Sequence, residues 1–224
     1  MKAMKVRITF IESALGTSPS NEQIYRDFIG SKAPDANSLE QEVEALGADA
    51  VAEKGMTVFP RTEDGKPMFW DYQVRGFFKD SCAALQRASK GGPSPEGKES
   101  SKLKAYKKEI DGLIFVQPRK IPIIFDGDMT VCERPLRAST PQGERVALAS
   151  SEEIPAGSTI TFKVLALRAE LLEAVREWLE YGLLRGLSQW RNSGKGRFVW
   201  EELDKDGNVI GGNYDMKDFW DEAV

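Results

Sequence analysis

Residues 158–203 constrain the fold more than any other stretch, because strand, helix, glycine-rich loop and strand follow one another there without a gap. Ser158 to Leu167 reads as a strand. Ala169 to Leu184 then carries Leu171, Leu172, Val175, Trp178, Leu179 and Leu183 on one face and Glu170, Glu173, Arg176, Glu177 and Glu180 on the other. That spacing predicts an amphipathic helix with one core-facing stripe. A strand from Arg197 to Leu203 closes the unit. The run from Gly186 to Phe198 lies between helix and strand and combines Gly186, Gly194 and Gly196 with Arg191, Lys195 and Arg197. Glycines permit positive φ and close backbone approach, and the N–H groups of such a loop can form an anion-binding concavity. Arg and Lys on the same loop would add charge for phosphate.

The rest of the chain supplies partners for this unit. Met4 to Ile11 alternates Val6, Ile8 and Phe10 with Lys5, Arg7 and Thr9, the pattern of a half-buried strand. Short helices are expected over Ser20–Ile29 and, after the capping box Ser38-x-x-Gln41, over Ser38–Leu46. Met56 to Pro60 reads as a short strand. Tyr72 to Arg87 places Val74, Phe77, Phe78, Cys82 and Leu85 at helical spacing. Ser89 to Ser101 is rich in Gly, Pro and Ser, a composition that predicts a mobile, exposed loop. Leu113–Val116, Ile121–Phe125 and Arg145–Ala149 read as strands, with a turn at Ile154–Gly157. Another turn, Asp204 to Asn208, precedes an acidic, aromatic tail from Tyr214 to Val224. Without insertions the order is strand, helix, strands, helix, strand. This is the split βαβ arrangement of a ferredoxin-like α+β fold, an antiparallel sheet with two covering helices plus helical and β-hairpin insertions.

Composition removes several function classes. The chain has no histidine, so the commonest general base and metal ligand are missing, as is every Ser-His or Cys-His nucleophile. A net charge of −4 means that any nucleic-acid surface is a local patch. Cys82 and Cys132 lack metal-type spacing, which suits a reducing compartment. With no membrane-length apolar run and no signal-peptide pattern, a cytoplasmic protein is expected. Glu201, Glu202 and the tail acids Asp215, Asp218, Asp221 and Glu222 are too dispersed to suggest a cation site, so no metal, no cofactor and no catalytic residue is expected.

Three stretches carry a family resemblance. Trp70-Asp71-Tyr72-Gln73-Val74-Arg75-Gly76-Phe77-Phe78-Lys79-Asp80, Ile154 to Phe162, and Gly186 to Phe198 resemble, in order, three elements of the RAMP superfamily, the CRISPR-associated proteins that process or coat guide RNA. These are the start of the first helix, the turn and strand before the second helix, and the glycine-rich loop. The resemblance covers about half the chain. It implies a single domain over 1–203, with a helical insertion at 13–60, a hairpin insertion at 118–157 and a tail at 204–224. The chain as a whole also resembles uncharacterised phage and prophage proteins, which implies the cytoplasm of a bacterial host cell. In some superfamily members an Asp after the first strand cleaves RNA; Asp27 and Asp35 lie in that region, although turn and helix-surface roles explain both.

The resemblance implies a non-catalytic module that binds single-stranded RNA or assembles in, or against, a CRISPR-type ribonucleoprotein. Arg185, Arg191, Asn192, Lys195 and Arg197, with the backbone at Gly194 and Gly196, would hold phosphate. Trp190 would stack on a base or plug the core beneath the loop. Lys102 and Lys104, from the basic Lys98–Lys108 stretch, and Arg137, from a basic segment with Arg134 and Arg145, would extend the contact. A plainer reading makes Gly182 or Gly186 a helix cap and Arg185 a complement to the helix dipole. Two other functions fit the same residues: an anti-CRISPR protein that binds a protein partner without RNA, and a metal-independent ribonuclease.

Overall fold

The computed structural model describes residues 1–20, 56–89, 97–140 and 143–218, with backbone alone for 136–140 and 143–148. The expected helices at Ser20–Ile29 and Ser38–Leu46, Asp27 and Asp35, and the end of the tail lie outside the described residues.

The alternation in the first strand is realised as β1, Lys2–Phe10, which buries Met4, Val6, Ile8 and Phe10. Both long neighbours of β1 are antiparallel to it: β10 (Thr159–Ala166) on one side and β11 (Phe198–Leu203) on the other. Beyond β10 lie β6 (Ile114–Gln117) and β7 (Lys120–Ile124), and beyond β7 lies β5 (Met68–Trp70). A final hairpin adds β12 (Val209–Gly212) beside β11. The inner order β11-β1-β10-β6 is bridged by α1 (Asp71–Ser89), between β1 and β6, and by α3 (Leu171–Glu180), between β10 and β11. The chain therefore has an α+β ferredoxin-like fold. No helix among the described residues is long and apolar enough to cross a membrane.

The apolar stripe decides where α3 lies. Leu171, Leu172, Ala174, Val175, Trp178 and Leu179 are all buried. Each large apolar side chain contributes roughly 1.5–3 kcal/mol on burial. The surface pair Arg176–Glu173 adds only a few tenths of a kcal/mol. Ring contacts continue the core across the layers. Phe59 meets Phe69, Phe69 meets Phe10, Phe10 meets Phe198, Phe198 meets Phe77, and Phe78 meets Trp178, with centroids 5.2 to 6.3 Å apart.

Several boundaries differ from the sequence reading. The expected helix over 169–184 is broken at Tyr181 into α3 and the single turn α4 (Gly182–Arg185). Gly182 permits the close packing of this turn, because a Cβ there would sit 2.2 Å from the Phe198 ring. The cap is Gly186, at φ 77°, whose N–H bonds to the Gly182 carbonyl. Part of the basic stretch after Ser101 forms α2 (Tyr106–Leu113), which buries only Ile110 and so shows no stripe. The expected exposed loop ends in a docked segment. Glu177 on α3 accepts bonds from the N–H groups of Glu99 and Ser100 and from Ser100 Oγ, and Trp178 Nε1 donates to Ser100 Oγ at 2.9 Å.

Outside the ferredoxin-like core, residues 14–19, 57–58 and 130–154 contribute to a second sheet, whereas β7, inside the hairpin insertion expected at 118–157, joins the main sheet. The long hairpin of the second sheet is β8 (Thr130–Thr140) with β9 (Gly143–Ile154). The segment after β1 supplies β2 (Ala14–Leu15) and β3 (Ser18–Pro19), and β4 (Thr57–Val58) follows later. Ala14 pairs with Ile154 and Thr57 with Ser151, so residues more than ninety positions apart share a ladder.

Candidate nucleic-acid interface

The glycine-rich loop sits where the two sheets meet. It leaves α4, returns at Phe198, and is closed at its base by a bond from Leu187 N–H to the Gly196 carbonyl at 2.8 Å. Gly196 is at φ 73°, and a Cβ would stand 1.9 Å from the Leu187 carbonyl oxygen, so only glycine closes the loop this way. Gly196 N–H in turn donates to the Ser13 carbonyl, and Ile11 N–H to the Arg197 carbonyl. The loop is thus stitched to the segment that leaves β1.

Gln189 fastens the tip of the loop to the second sheet. Its Nε2 faces the Gly16 carbonyl, Thr57 Oγ1 at 2.7 Å and Ser151 Oγ at 3.0 Å, while Ser188 Oγ donates to the Leu15 carbonyl. Holding Gln189 this way places its neighbours in left-handed backbone, Ser188 at φ 91° and Trp190 at φ 56°. Such conformations cost of order 1–3 kcal/mol each, and the bonds at Gln189 offset that cost.

Trp190 is the aromatic that this geometry displays. Its ring lies on the guanidinium of Arg134, 5.1 Å from centroid to Cζ, and the residue keeps 38% exposure. Arg134 itself is only 7% exposed and donates to Ser151 Oγ at 3.0 Å. No ion pair engages it among the described residues. Desolvated cation–π contacts are worth about 2 kcal/mol, which makes the ring a principal partner of this charge.

The basic residues of the loop fall into two groups. Arg185 and Arg191 converge on one oxygen of Asp80 in α1, at 3.1 and 2.7 Å, and Arg185 also donates to Asn192 Oδ1 at 2.7 Å. Two guanidiniums against one carboxylate leave a local excess of positive charge. Lys195 faces the other way, donating at 2.6 Å to both Ser13 Oγ and Glu153 Oε1 on β9. Burial opposes ionisation of Glu153, but the bonds from Lys195 and Ser13 outweigh it and hold the carboxyl below its ordinary range. Arg197 folds its guanidinium over Gly194, 3.2 Å from where a Cβ would stand.

Two more expected contacts lie apart from this cluster. Lys102 is bound through both oxygens of Glu99, on the segment docked against α3. Lys104 is exposed, and no hydrogen bond or ion pair among the described residues joins either lysine to the loop. Arg137 lies on β8 opposite Val146, and its side chain falls outside the described residues, as does that of Arg145. Asp80, Glu153, Gln189 and the stacking role of Arg134 were not anticipated from sequence. Each becomes legible only when its distant partner is known.

No family model matches the chain, and no curated protein is similar to it in sequence. Among solved structures, a chain of the Type III-B Cmr-beta complex bound to cognate target RNA is similar at a TM-score of 0.47 and 11% identity, covering 91% of this chain and 60% of that one. The protein thus spans about 60% of the length of that neighbour. A chain of a Type IV-B CRISPR complex is similar at a TM-score of 0.46 and 10% identity, with 94% of each chain covered.

Proposed function

We propose that this protein is a non-catalytic, RAMP-like module that holds single-stranded RNA, in or against a CRISPR-type ribonucleoprotein. The observation that carries the reading is the display of Trp190, with one ring face on the Arg134 guanidinium, exposed surface beside it, and left-handed backbone held in place by Gln189. A base stacking on an aromatic platform contributes about 1–3 kcal/mol in single-strand binders. Arg185 and Arg191, with their excess charge over Asp80, together with Asn192, Arg197 and the backbone at Gly194 and Gly196, supply phosphate contacts beside it. Lys195, Lys102, Lys104 and Arg137 make a secondary contribution through the local field. Binding of a labelled single-stranded RNA to Trp190→Ala and Trp190→Phe tests the reading. Loss of at least fivefold in the first and retention in the second is expected; equal affinity in all three proteins overturns it.

One observation favours a second reading, in which an anti-defence protein of phage origin docks on a protein partner without RNA. Lys195 is already neutralised by Glu153, and Arg185 and Arg191 share Asp80. Absorbance of the protein purified from bacterial cells separates the two: nucleic acid carried through purification supports the first, and a clean protein spectrum supports the second.

A further inference from the structure

A second basic surface lies on the face of the main sheet opposite α1 and α3. Directly opposed residues of an antiparallel ladder stand on the same face. Lys5 on β1 is opposite Lys163 on β10, and Lys163 is opposite Gln117 on β6, so these three side chains form one row across three strands. The next row pairs Leu165 with Phe115, which is 41% exposed. Beside the rows opens a cavity of about 640 Å³ that reaches the first turn of α1, bounded by Lys5, Lys163, Phe115, Arg119 and, from α1, Asp71 and Arg75.

The charges in this groove are balanced differently from those of the loop. Arg185, Arg191, Lys195 and Lys102 all have carboxylate partners. Lys5, Lys163 and Arg119 have none among the described residues. Arg75 pairs with Asp71 at 3.3 Å, and its Nε is buried with no hydrogen-bond partner. Four cations therefore face one carboxylate. Lys5 and Lys163 are also directly opposed like charges, an arrangement that destabilises a sheet and that a bound anion would relieve. Arg7, one row further along and opposite Thr161, is taken up by Glu201 at 2.7 Å.

We propose that this groove is a second contact for single-stranded RNA, with phosphates on Lys5, Lys163 and Arg119 and a base on Phe115. A basic channel beside an exposed aromatic is the arrangement that tracks a single strand. The ligand class rests on the reading of the loop, but the residues do not. Lys5 is five positions from Phe10, where the loop returns beside β1, or about 17 Å along the strand.

The test is anisotropy of a short labelled uridine oligomer over a salt series. The proteins are wild type, Lys5→Gln/Lys163→Gln, Phe115→Leu and Trp190→Ala. The double variant should lose at least fivefold in affinity near 50 mM salt, and its log–log salt slope should flatten by about 1.4, for two lost phosphate contacts. Its melting temperature should hold or rise, because a like-charge pair has gone. Phe115→Leu should weaken binding with the slope unchanged. An unaltered affinity and slope in the double variant overturns the groove, whatever Trp190→Ala does. Loss in the double variant with none in Trp190→Ala supports the groove and overturns the loop assignment. Absence of RNA binding in the wild type overturns both. Displacement of the oligomer by polyglutamate at equal charge overturns the assignment to a nucleic-acid strand.

Discussion

Lys195 and Glu153 meet at 2.6 Å, and with Ser13 they tie the glycine-rich loop to the strand β9 of the second sheet. Lys195 was expected to face phosphate. In the folded chain its ammonium is a structural clasp, and both partners are largely covered, at 24% and 16% side-chain exposure.

The clasp has a pH dependence of definite sign. The folded-state pKa of Glu153 lies below its ordinary 4.5, so its contribution is present above that value and is lost as pH falls through the folded value. Glu153→Gln should cost about 1 kcal/mol at neutral pH. The difference between variant and wild type should vanish on acidification below 4.5. Thermal melts across that range measure it, and a constant difference at every pH would refute the role of ionised Glu153.

Asp80 restrains the charge of the loop. Asp80→Asn removes the carboxylate that Arg185 and Arg191 share. Affinity for single-stranded RNA should rise several-fold at low salt, and the salt slope should steepen by about 0.7 for one released charge. A decrease in affinity would show that Asp80 positions the guanidiniums for the ligand instead of competing with it.

Gly182 and Phe198 form a coupled pair. Gly182→Ala drives a methyl into the ring and should cost about 1–3 kcal/mol. Phe198→Leu leaves a smaller side chain at the contact, so the double variant should be less destabilised than the sum of the singles. Chemical denaturation of the four proteins gives the coupling energy, and strict additivity would count against the packing explanation.

The two thiols should react at very different rates. Burial is the main cause that pushes Cys82 up to about 11, while Cys132 is partly exposed. A thiol-specific disulfide reagent near neutral pH should label Cys132 quickly and Cys82 only on unfolding. Because the folded state keeps the Cys82 proton, that thiol also withdraws stability as pH climbs from 9.0 towards 11. Equal labelling rates would contradict the burial.

Much of the core was legible because its periodicities are local. The alternation in β1 and the stripe of α3 specify which face is buried, and the strand–helix order then specifies the sheet. Other elements carry no such local signal. Met68–Trp70 is too short to show a period, and α2 buries a single residue.

By itself the sequence determined the ferredoxin-like order, the glycine-rich loop and its place between the helical segment 171–185 and β11. These follow from residues within a few positions of one another, where side-chain spacing and glycine backbone freedom act directly. Only the tertiary structure decided what the charges do. Lys195 is neutralised by a residue 42 positions away and Arg191 by one 111 positions away, while Lys5 and Lys163 remain unpaired among the described residues. Electrostatic partnership falls off over a few ångströms of space and is blind to chain order, so a row of basic letters cannot show which of them remain available.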